Sequence, residues 1–220
     1  MENITWFAHA SFLFVDKDSG GEAYYVDPFQ LPKNKDIPKA DVIFITHAHY
    51  DHFSALDINR ILKNETIVVA TPDCLNALVI KLQKFPVEPS RSYDIRGFHF
   101  ETIPAYNVRP DRLSFHPQKN KWVGYIFELY GQLIYHAGDT DFIPEMRELA
   151  ERHLDVALLP MGGTYTMDVS EMISATKAIK PKNVIPMHYK TLLGGAAYKG
   201  EQQIRAELKD SRVVILEEFR

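Results

Sequence analysis

The residues best suited to chemistry lie together in one stretch, Thr-His-Ala-His-Tyr-Asp-His at positions 46–52. The stretch follows an apolar, mostly β-branched run that is typical of a buried strand, so residue types that bind metals stand where a strand ends. Residues two apart in an extended segment point the same way, and His47 and His49 can therefore reach one ion. The turn that follows lets Asp51 and His52 face a second ion. We expect one loop that supplies ligands to two metals.

Further acids and histidines stand directly after other predicted strands. Pro28 stops the strand before it and biases Asp27 towards an extended conformation, which leaves the Asp27 carboxylate at a strand terminus. Asp139 follows one strand in the sequence His-Ala-Gly-Asp-Thr, and His188 follows another in Pro-Met-His-Tyr. We expect these strand ends to contribute to the same site.

Composition limits the class of protein. With 220 residues, 45% of them hydrophobic, the chain is long enough for one well-filled core, and we expect a single domain over residues 1–220. No apolar run can span a bilayer and the first residues lack the features of a secretory signal, so we expect a cytoplasmic protein without membrane insertion. Cys74 is the only cysteine, which leaves nitrogen and oxygen as metal ligands. A net charge of -4 and a pI near 6.1 argue against a nucleic-acid binder.

Hydrophobic periodicity predicts strands interspersed with helices. A polar stretch at 16–21 predicts a hairpin turn, Thr71 with Pro72 predicts the start of a helix that runs through Leu82, and the sequence from Asp168 to Glu171 has the form of a capping box. The predicted strands are 4–7, 11–15, 22–26, 41–45, 66–70, 98–103, 123–129, 133–135, 156–159, 184–187 and 213–216, and further helices are expected at 54–63, from 144 and at 200–209. This order favours two sheets packed face to face with helices outside, although periodicity alone supports only an α/β or α+β class.

The motif His-x-His-x-Asp-His at 47–52 resembles the signature of the metallo-β-lactamase superfamily. With His-Ala-Gly-Asp-Thr at 136–140, Thr-Met-Asp at 166–168 and Pro-Met-His-Tyr at 186–189, nearly the whole chain is similar to small metal-dependent hydrolases grouped with ascorbate-6-phosphate lactonase. N-acylphosphatidylethanolamine-hydrolysing phospholipase D is a more distant resemblance. The family implies a four-layer αβ/βα sandwich with two metal ions at one edge.

The resemblance also implies which residues bind the ions. The first ion is bound by His47 and His49, the second by Asp51, His52 and His188, and both by Asp139 as a bridge. Zinc suits imidazole-rich donors, while manganese and iron also fit a nitrogen and oxygen site without thiolate. His9 looks like the histidine of a Gly-His-Ser/Ala element in these relatives, and it either supports the ligands through Asp27 or simply packs.

The chain departs from the family pattern at one ligand. The usual third histidine of the first site falls near residues 103–107, where this chain has Asn107, a weaker ligand than imidazole. Either the first site is weak or another group completes it. The candidate for this substitute ligand is His116; alternatively, His116 is a loop histidine that points into solvent or into a substrate pocket. His136 lies three residues before Asp139, so we expect it to be a ligand, a donor to a ligand or a donor to the transition state.

These residues predict a reaction class. An open divalent site makes hydroxide available from bound water near neutral pH, so we expect a metal-dependent hydrolase acting on a small ester, lactone or phosphodiester, with Asp51 and His136 as catalytic residues. Arg109 and Arg112 favour an anionic group on this small-molecule substrate. Tyr165 and Tyr189 neighbour strand-end ligands and are further substrate-binding candidates.

Two other functions remain open from the sequence. A metal-binding protein with little catalysis would explain Asn107 as the trace of a degraded first site, and its metal content would distinguish it from an enzyme with two ions. A nuclease is disfavoured by the acidic charge. Short exposed strand edges would allow a homo-oligomer.

Overall fold

The computed structural model describes residues 3–15 and 21–220, so the hairpin turn expected at 16–21 lies outside the described residues except for its last position. The chain divides into two compact units, one of residues 1–87 and 216–220 and the other of residues 88–215. Each unit is built on one mixed sheet. Among the described residues, no helix combines the length and the apolar character needed to cross a membrane.

The first unit contains a six-stranded sheet in which neighbours in sequence are neighbours in space. Its strands are β1 (Ile4–Ala8), β2 (Ser11–Val15), β3 (Ala23–Val26), β4 (Val42–Ile45), β5 (Ile67–Ala70) and β6 (Gln83–Pro86). The first three are antiparallel, whereas β3 to β6 run parallel, and α1 (Ala55–Ile61) and α2 (Pro72–Ala77) connect the parallel strands. Every residue of β3, β4 and β5 is buried, which explains why these strands are apolar runs without alternation.

The helix predicted to run through Leu82 is wrong in its second half. Helix α2 ends at Ala77, and Leu78 is extended with φ −84° and ψ 111°. The following residues instead reach β6, which pairs in parallel with β5. Val79 is 96% exposed, so the apolar spacing that suggested a longer helix has no core to pack against there.

The second unit contains a seven-stranded sheet with the spatial order β13-β12-β11-β10-β9-β8-β7. Its strands are β7 (Ser92–Ile95), β8 (Phe98–Pro104), β9 (Val123–Leu129), β10 (Gln132–His136), β11 (Val156–Pro160), β12 (Asn183–Met187) and β13 (Arg212–Val213). The helices are α3 (Val169–Ile179), α4 (Lys190–Leu193) and α5 (Ala197–Glu207), with 3-10 helices at Gln118–Asn120, Pro144–Arg152 and Gly194–Ala196. Strands β7 to β10 are antiparallel and β10 to β13 are parallel.

The parallel half of this second sheet determines where its reactive residues lie. Because β10, β11 and β12 run in the same direction, their carboxyl ends meet at one edge of the sheet. Asp139 follows β10 and His188 follows β12, so both side chains belong to that edge. The capping box predicted at the start of α3 is confirmed, with Asp168 accepting from the Glu171 backbone and Glu171 accepting from the Asp168 backbone.

Candidate functional site

In the first unit, one buried carboxylate organises the loop after β4. Asp27 follows β3 and accepts hydrogen bonds from the backbone nitrogen of Thr46 at 2.8 Å and from its hydroxyl at 2.7 Å. The Nδ1 of His52 lies 2.7 Å from the same carboxylate, and both side chains are fully buried. Because Nδ1 donates to the carboxylate, metal binding by His52 would use Nε2, an arrangement common among histidine ligands.

The backbone of Asp27 differs from the sequence prediction. Its φ is 46°, in the left-handed region, although a residue before proline is expected to be extended. Aspartate tolerates this region better than most residues. The backbone nitrogen also donates to the Phe44 carbonyl at 2.9 Å, so hydrogen bonds at both ends of the residue hold the conformation.

The hydrogen bonds of Thr46 determine the tautomer of His47. The single hydroxyl hydrogen of Thr46 is donated to Asp27, which can only accept. The Nδ1 of His47, at 3.0 Å from the same hydroxyl oxygen, must therefore be the donor in that second contact. The lone pair of His47 is then on Nε2, the nitrogen that a metal would use.

His47 and His49 lie as close together as the spacing predicts. The Nε2 of His47 is 3.0 Å from the Nδ1 of His49, and the rings of His47 and His52 have centroids 4.0 Å apart. Two nitrogens each about 2.0–2.1 Å from one zinc ion stand at a similar separation. His49 and Asp51 are half-buried, while His47 and His52 are buried. The loop thus fits a divalent ion by donor type and by spacing.

His9 occupies the turn between β1 and β2. Its φ is 44°, its carbonyl accepts from the indole nitrogen of Trp6 at 2.8 Å, and its ring packs on Phe29 with centroids 5.6 Å apart. The carboxylate of Asp27 is bonded to Thr46 and His52. A supporting role of His9 through Asp27 stays a prediction.

In the second unit, Asp139 lies between two histidines. Its Oδ2 is 3.3 Å from the Nε2 of His116 and 3.3 Å from the Nε2 of His188. All three side chains are buried. One carboxylate oxygen and two imidazole nitrogens directed at each other form a donor set of the kind that zinc, manganese and iron accept.

Asn107 and His116 make different contacts around Asp139. The amide oxygen of Asn107 accepts from the backbone nitrogen of His116 at 3.0 Å and lies 2.9 Å from its Nδ1. The amide nitrogen donates to Asp141 and to the Tyr165 carbonyl, each at 3.0 Å. Of the two residues that the sequence left open, His116 therefore contacts Asp139, and Asn107 contacts His116.

His136 is buried at the end of β10 and interacts with the turn that leads to Asp139. The backbone nitrogen of Gly138 donates to its Nδ1 at 3.2 Å. A ring nitrogen that accepts carries no hydrogen, so in the neutral ring the hydrogen is on Nε2. This tautomer suits a His136 that donates a hydrogen bond through Nε2 better than a His136 that binds a metal through Nδ1.

The structure corrects the prediction that Arg112 binds substrate. Arg112 is only 1% exposed, and its guanidinium donates to both carboxylate oxygens of Glu171 at 2.6 Å. It also contacts Asp141 at 3.2 Å and the Thr166 carbonyl. A charge enclosed by two carboxylates and a carbonyl is not available to a ligand.

Arg109 is exposed but already paired. It forms two hydrogen bonds to Asp111, at 3.1 and 2.9 Å, and lies within 3.7 Å of Asp168 and Glu171. The hydrogen bond with Asp111 is the main cause that raises the pKa of Arg109 and lowers the pKa of Asp111. Its predicted contact with substrate stays a prediction, in competition with three carboxylates.

Tyr165 and Tyr189, the two tyrosines predicted to bind substrate, also differ in burial. Tyr189 is buried and its hydroxyl donates to Glu201 at 2.6 Å, so the structure assigns it to packing rather than to substrate binding. Tyr165 is 39% exposed, and its ring meets Phe115 edge-on with centroids 4.8 Å apart. The predicted contact of Tyr165 with substrate stays a prediction.

Asp141 is the residue of this region that sequence reasoning missed. It is fully buried, accepts hydrogen bonds from the backbone nitrogens of Val108 and Arg109 at 2.8 and 3.0 Å and from the Asn107 amide, and forms an ion pair with Arg112. The only sequence signal was a second acid two positions after Asp139 in Gly-Asp-Thr-Asp.

Comparison with known proteins adds a family to this geometry. Residues 3–188 match the family model described as a β-lactamase superfamily domain. The chain is 34% identical over 206 residues to a UPF0173 metal-dependent hydrolase of Pyrococcus furiosus, with 87% of this chain and 86% of the relative covered. It is 35% identical over 203 residues to the UPF0173 metal-dependent hydrolase of Thermoplasma acidophilum, at 87% and 85% coverage. Among solved structures it resembles Igni18, a metallo hydrolase of Ignicoccus hospitalis, with a TM-score of 0.78, 27% identity, and 99% and 95% of the two chains covered.

Proposed function

The chain belongs to the metallo-β-lactamase superfamily and has its α+β fold, and we propose that it is a metal-dependent hydrolase of a small uncharged ester or lactone. The family and the α+β class predicted from the motifs are confirmed. The kinship with ascorbate-6-phosphate lactonase, the bond cleaved and the substrate are parts of the proposal.

The proposal depends chiefly on the group formed by Asp139, His116 and His188. A buried carboxylate oxygen 3.3 Å from two imidazole nitrogens is costly to desolvate unless a cation or a proton offsets its charge. A divalent ion does so while using all three as ligands. This supports His116 as the substitute for the histidine that the family places near Asn107.

The proposed ligands come from both sequence regions that the motifs single out. The side chains that would hold two divalent ions are those of His47, His49, Asp51, His52, His116, Asp139 and His188. Zinc is the expected metal because most of these donors are imidazoles. A divalent ion held in this way lowers the pKa of a coordinated water enough to supply hydroxide near neutral pH.

The remaining steps belong to the chain's own residues. Asp51 accepts the proton that the attacking water releases. His136 donates a hydrogen bond through Nε2, because Nδ1 already accepts from Gly138. Asp27 orients His52 directly and His47 through Thr46.

Both arginines of the segment 107–116 are already paired with acids, which supports an uncharged substrate. Arg112 is enclosed by Asp141 and Glu171, and Arg109 is bonded to Asp111. The same segment exposes apolar side chains instead, with Val108 43% and Leu113 50% exposed. An ester or lactone with an apolar flank therefore suits this surface better than a phosphodiester.

The alternative of an inert metal-binding protein was suggested by Asn107 as the trace of a lost ligand. In the structure the Asn107 amide oxygen accepts from His116 and its nitrogen donates to Asp141 and Tyr165. Because His116 contacts Asp139 in its place, the substitution at position 107 does not by itself favour the inert alternative.

The test combines metal content with turnover. Zinc-reconstituted protein should hold two ions per chain and hydrolyse p-nitrophenyl esters or simple lactones faster than bis-p-nitrophenyl phosphate. Replacing His188 by alanine should reduce zinc content and abolish hydrolysis, because an anionic Asp139 loses one partner. His99→Ala, at a histidine outside the site, serves as the matched variant and should behave like the wild type. Wild-type protein that binds no zinc, or that hydrolyses none of these compounds with zinc bound, would refute the proposal.

A further inference from the structure

The orientation of the Asn107 amide can be deduced from its neighbours. The backbone nitrogen of His116 can only donate, so the Asn107 atom 3.0 Å away is the amide oxygen. The opposite amide atom faces a carboxylate of Asp141 and a carbonyl of Tyr165, both of which can only accept. Both ends of the amide give the same assignment.

This orientation determines the tautomer of His116. The Nδ1 of His116 lies 2.9 Å from the same amide oxygen, so it must carry a hydrogen to donate. In the neutral ring Nε2 then has its lone pair in the ring plane, and this is the atom that lies 3.3 Å from Asp139. Asn107 therefore presents His116 in the form that a ligand requires.

Asp141 holds Asn107 in turn. Its Oδ1 accepts from the Asn107 amide nitrogen at 3.0 Å and contacts Arg112 at 3.2 Å, while its Oδ2 accepts from two backbone nitrogens of residues 108 and 109. The carboxylate thus fixes the path of the segment that connects Asn107 with His116.

Arg112 connects Asp141 and Asn107 to helix α3. Its guanidinium donates to both oxygens of Glu171, which also caps the first turn of α3. Nη2 makes both contacts with Glu171 and Nη1 donates to the Thr166 carbonyl, so the planar guanidinium is held at two of its nitrogens. Hydrogen bonds, together with the ion pair between Arg112 and Asp141, therefore link Glu171 through Arg112, Asp141 and Asn107 to His116.

We propose that Asn107 and Arg112 are positioning residues for metal binding by His116. This inference rests on the proposed function, since it takes His116 as a ligand. Asn107 sets the ring's tautomer and orientation, and Arg112 with Asp141 keeps Asn107 in place. The residue that stands where the family has a histidine thus acts through another histidine nine positions later.

The experiment measures zinc affinity by competition with a chelator on the full chain. Substitutions of groups that orient histidine ligands typically weaken metal binding about 10- to 100-fold, and Asn107→Ala should fall in this range. Arg112→Lys keeps the charge, but one ammonium group cannot replace two guanidinium nitrogens that donate separately to Glu171 and to the Thr166 carbonyl, so a smaller loss in the same direction is expected. Arg152→Lys is the matched variant, because Arg152 also donates to a carboxylate of the same unit, that of Glu101, and its replacement should leave zinc affinity unchanged.

A second readout separates positioning from mere stability. In zinc-free wild-type protein, ¹⁵N spectra of the histidine rings should show a His116 ring protonated at Nδ1, and Asn107→Ala should lose that signature. Asn107→Ala that melts cooperatively yet keeps both wild-type zinc affinity and the Nδ1 signal would overturn the inference. Should Asn107→Ala not fold, Arg112→Lys decides it, and an effect on zinc no larger than that of Arg152→Lys overturns it. Failure of the wild type to bind zinc would instead refute the proposed function.

Discussion

The carboxylate of Asp27 controls two histidines at once. It accepts directly from Nδ1 of His52, and through the Thr46 hydroxyl it makes His47 donate from Nδ1. Both rings then present Nε2 as the nitrogen with a lone pair. A single buried acid therefore sets the form in which the loop after β4 meets a metal.

Replacing Asp27 by asparagine tests this control. Asparagine tolerates the positive φ of 46° as aspartate does, so the backbone should be retained. Its amide nitrogen cannot accept, and one of the donors from Thr46 or His52 would face another donor. We expect zinc affinity to fall about 10- to 100-fold, as measured by chelator competition. Asp36→Asn, at an exposed acid of the same unit, should have no effect, and equal affinities of the two variants would contradict the role of Asp27.

Residue spacing predicted some of these contacts and could not predict others. The proximity of His47 and His49 follows from their separation by two positions, so the sequence was sufficient. The burial of Arg112 depends on Glu171, 59 positions away, and the role of Asn107 depends on Asp141, 34 positions away. No local pattern records such pairs, so the sequence alone predicts neither the burial of Arg112 nor the contacts of Asp141.

At the scale of secondary-structure elements, the packing of β9 against β10 affects the position of Asp139, which follows β10. Strand β9 agrees with its predicted limits because all its residues except Glu128 are buried, whereas α2 is shorter than its apolar spacing suggested. The glycine at position 124 in β9 is explained by a close backbone contact, which hydrophobic periodicity does not reveal. A Cβ at this position would lie 2.6 Å from the His136 carbonyl and 2.7 Å from the Ala137 carbonyl. The absence of a side chain at Gly124 therefore allows β9 to approach the end of β10.

Gly124→Ala should disturb the segment that carries Asp139. Both atoms that the new methyl group would meet belong to the backbone, so they cannot move without shifting β10. Overpacking of this kind costs about 1–3 kcal/mol, and denaturant unfolding should show a loss in that range together with weaker zinc binding. Gly195→Ala adds the same methyl group where nothing lies within 4 Å, and its stability should change by no more than about 0.5 kcal/mol. Equal stabilities of the two variants would show that β9 can yield at no cost.

At the scale of the whole molecule, the proposed function makes metal part of the folded state's stability. Each compact unit contributes its own buried histidines and acids, His47 and His52 in one and His116, Asp139 and His188 in the other. Burying such groups is unfavourable without a compensating partner, and a ligand that binds only the native chain stabilises it by mass action. Zinc should therefore raise the melting temperature of the chelator-treated protein.

The size of this increase tests whether ligands of both units bind metal. At a free zinc concentration about 100 times the Kd, one site contributes about 2.7 kcal/mol to the free energy of unfolding, and the increase should vanish again with excess chelator. His49→Ala changes a half-buried ligand of the first unit and His116→Gln a buried ligand of the second, and each should reduce the zinc-dependent increase in melting temperature. His99→Ala should keep the full increase, because this exposed ring lies outside both ligand sets. If His49→Ala or His116→Gln retained the wild-type increase, the unit carrying that residue would not bind metal through it.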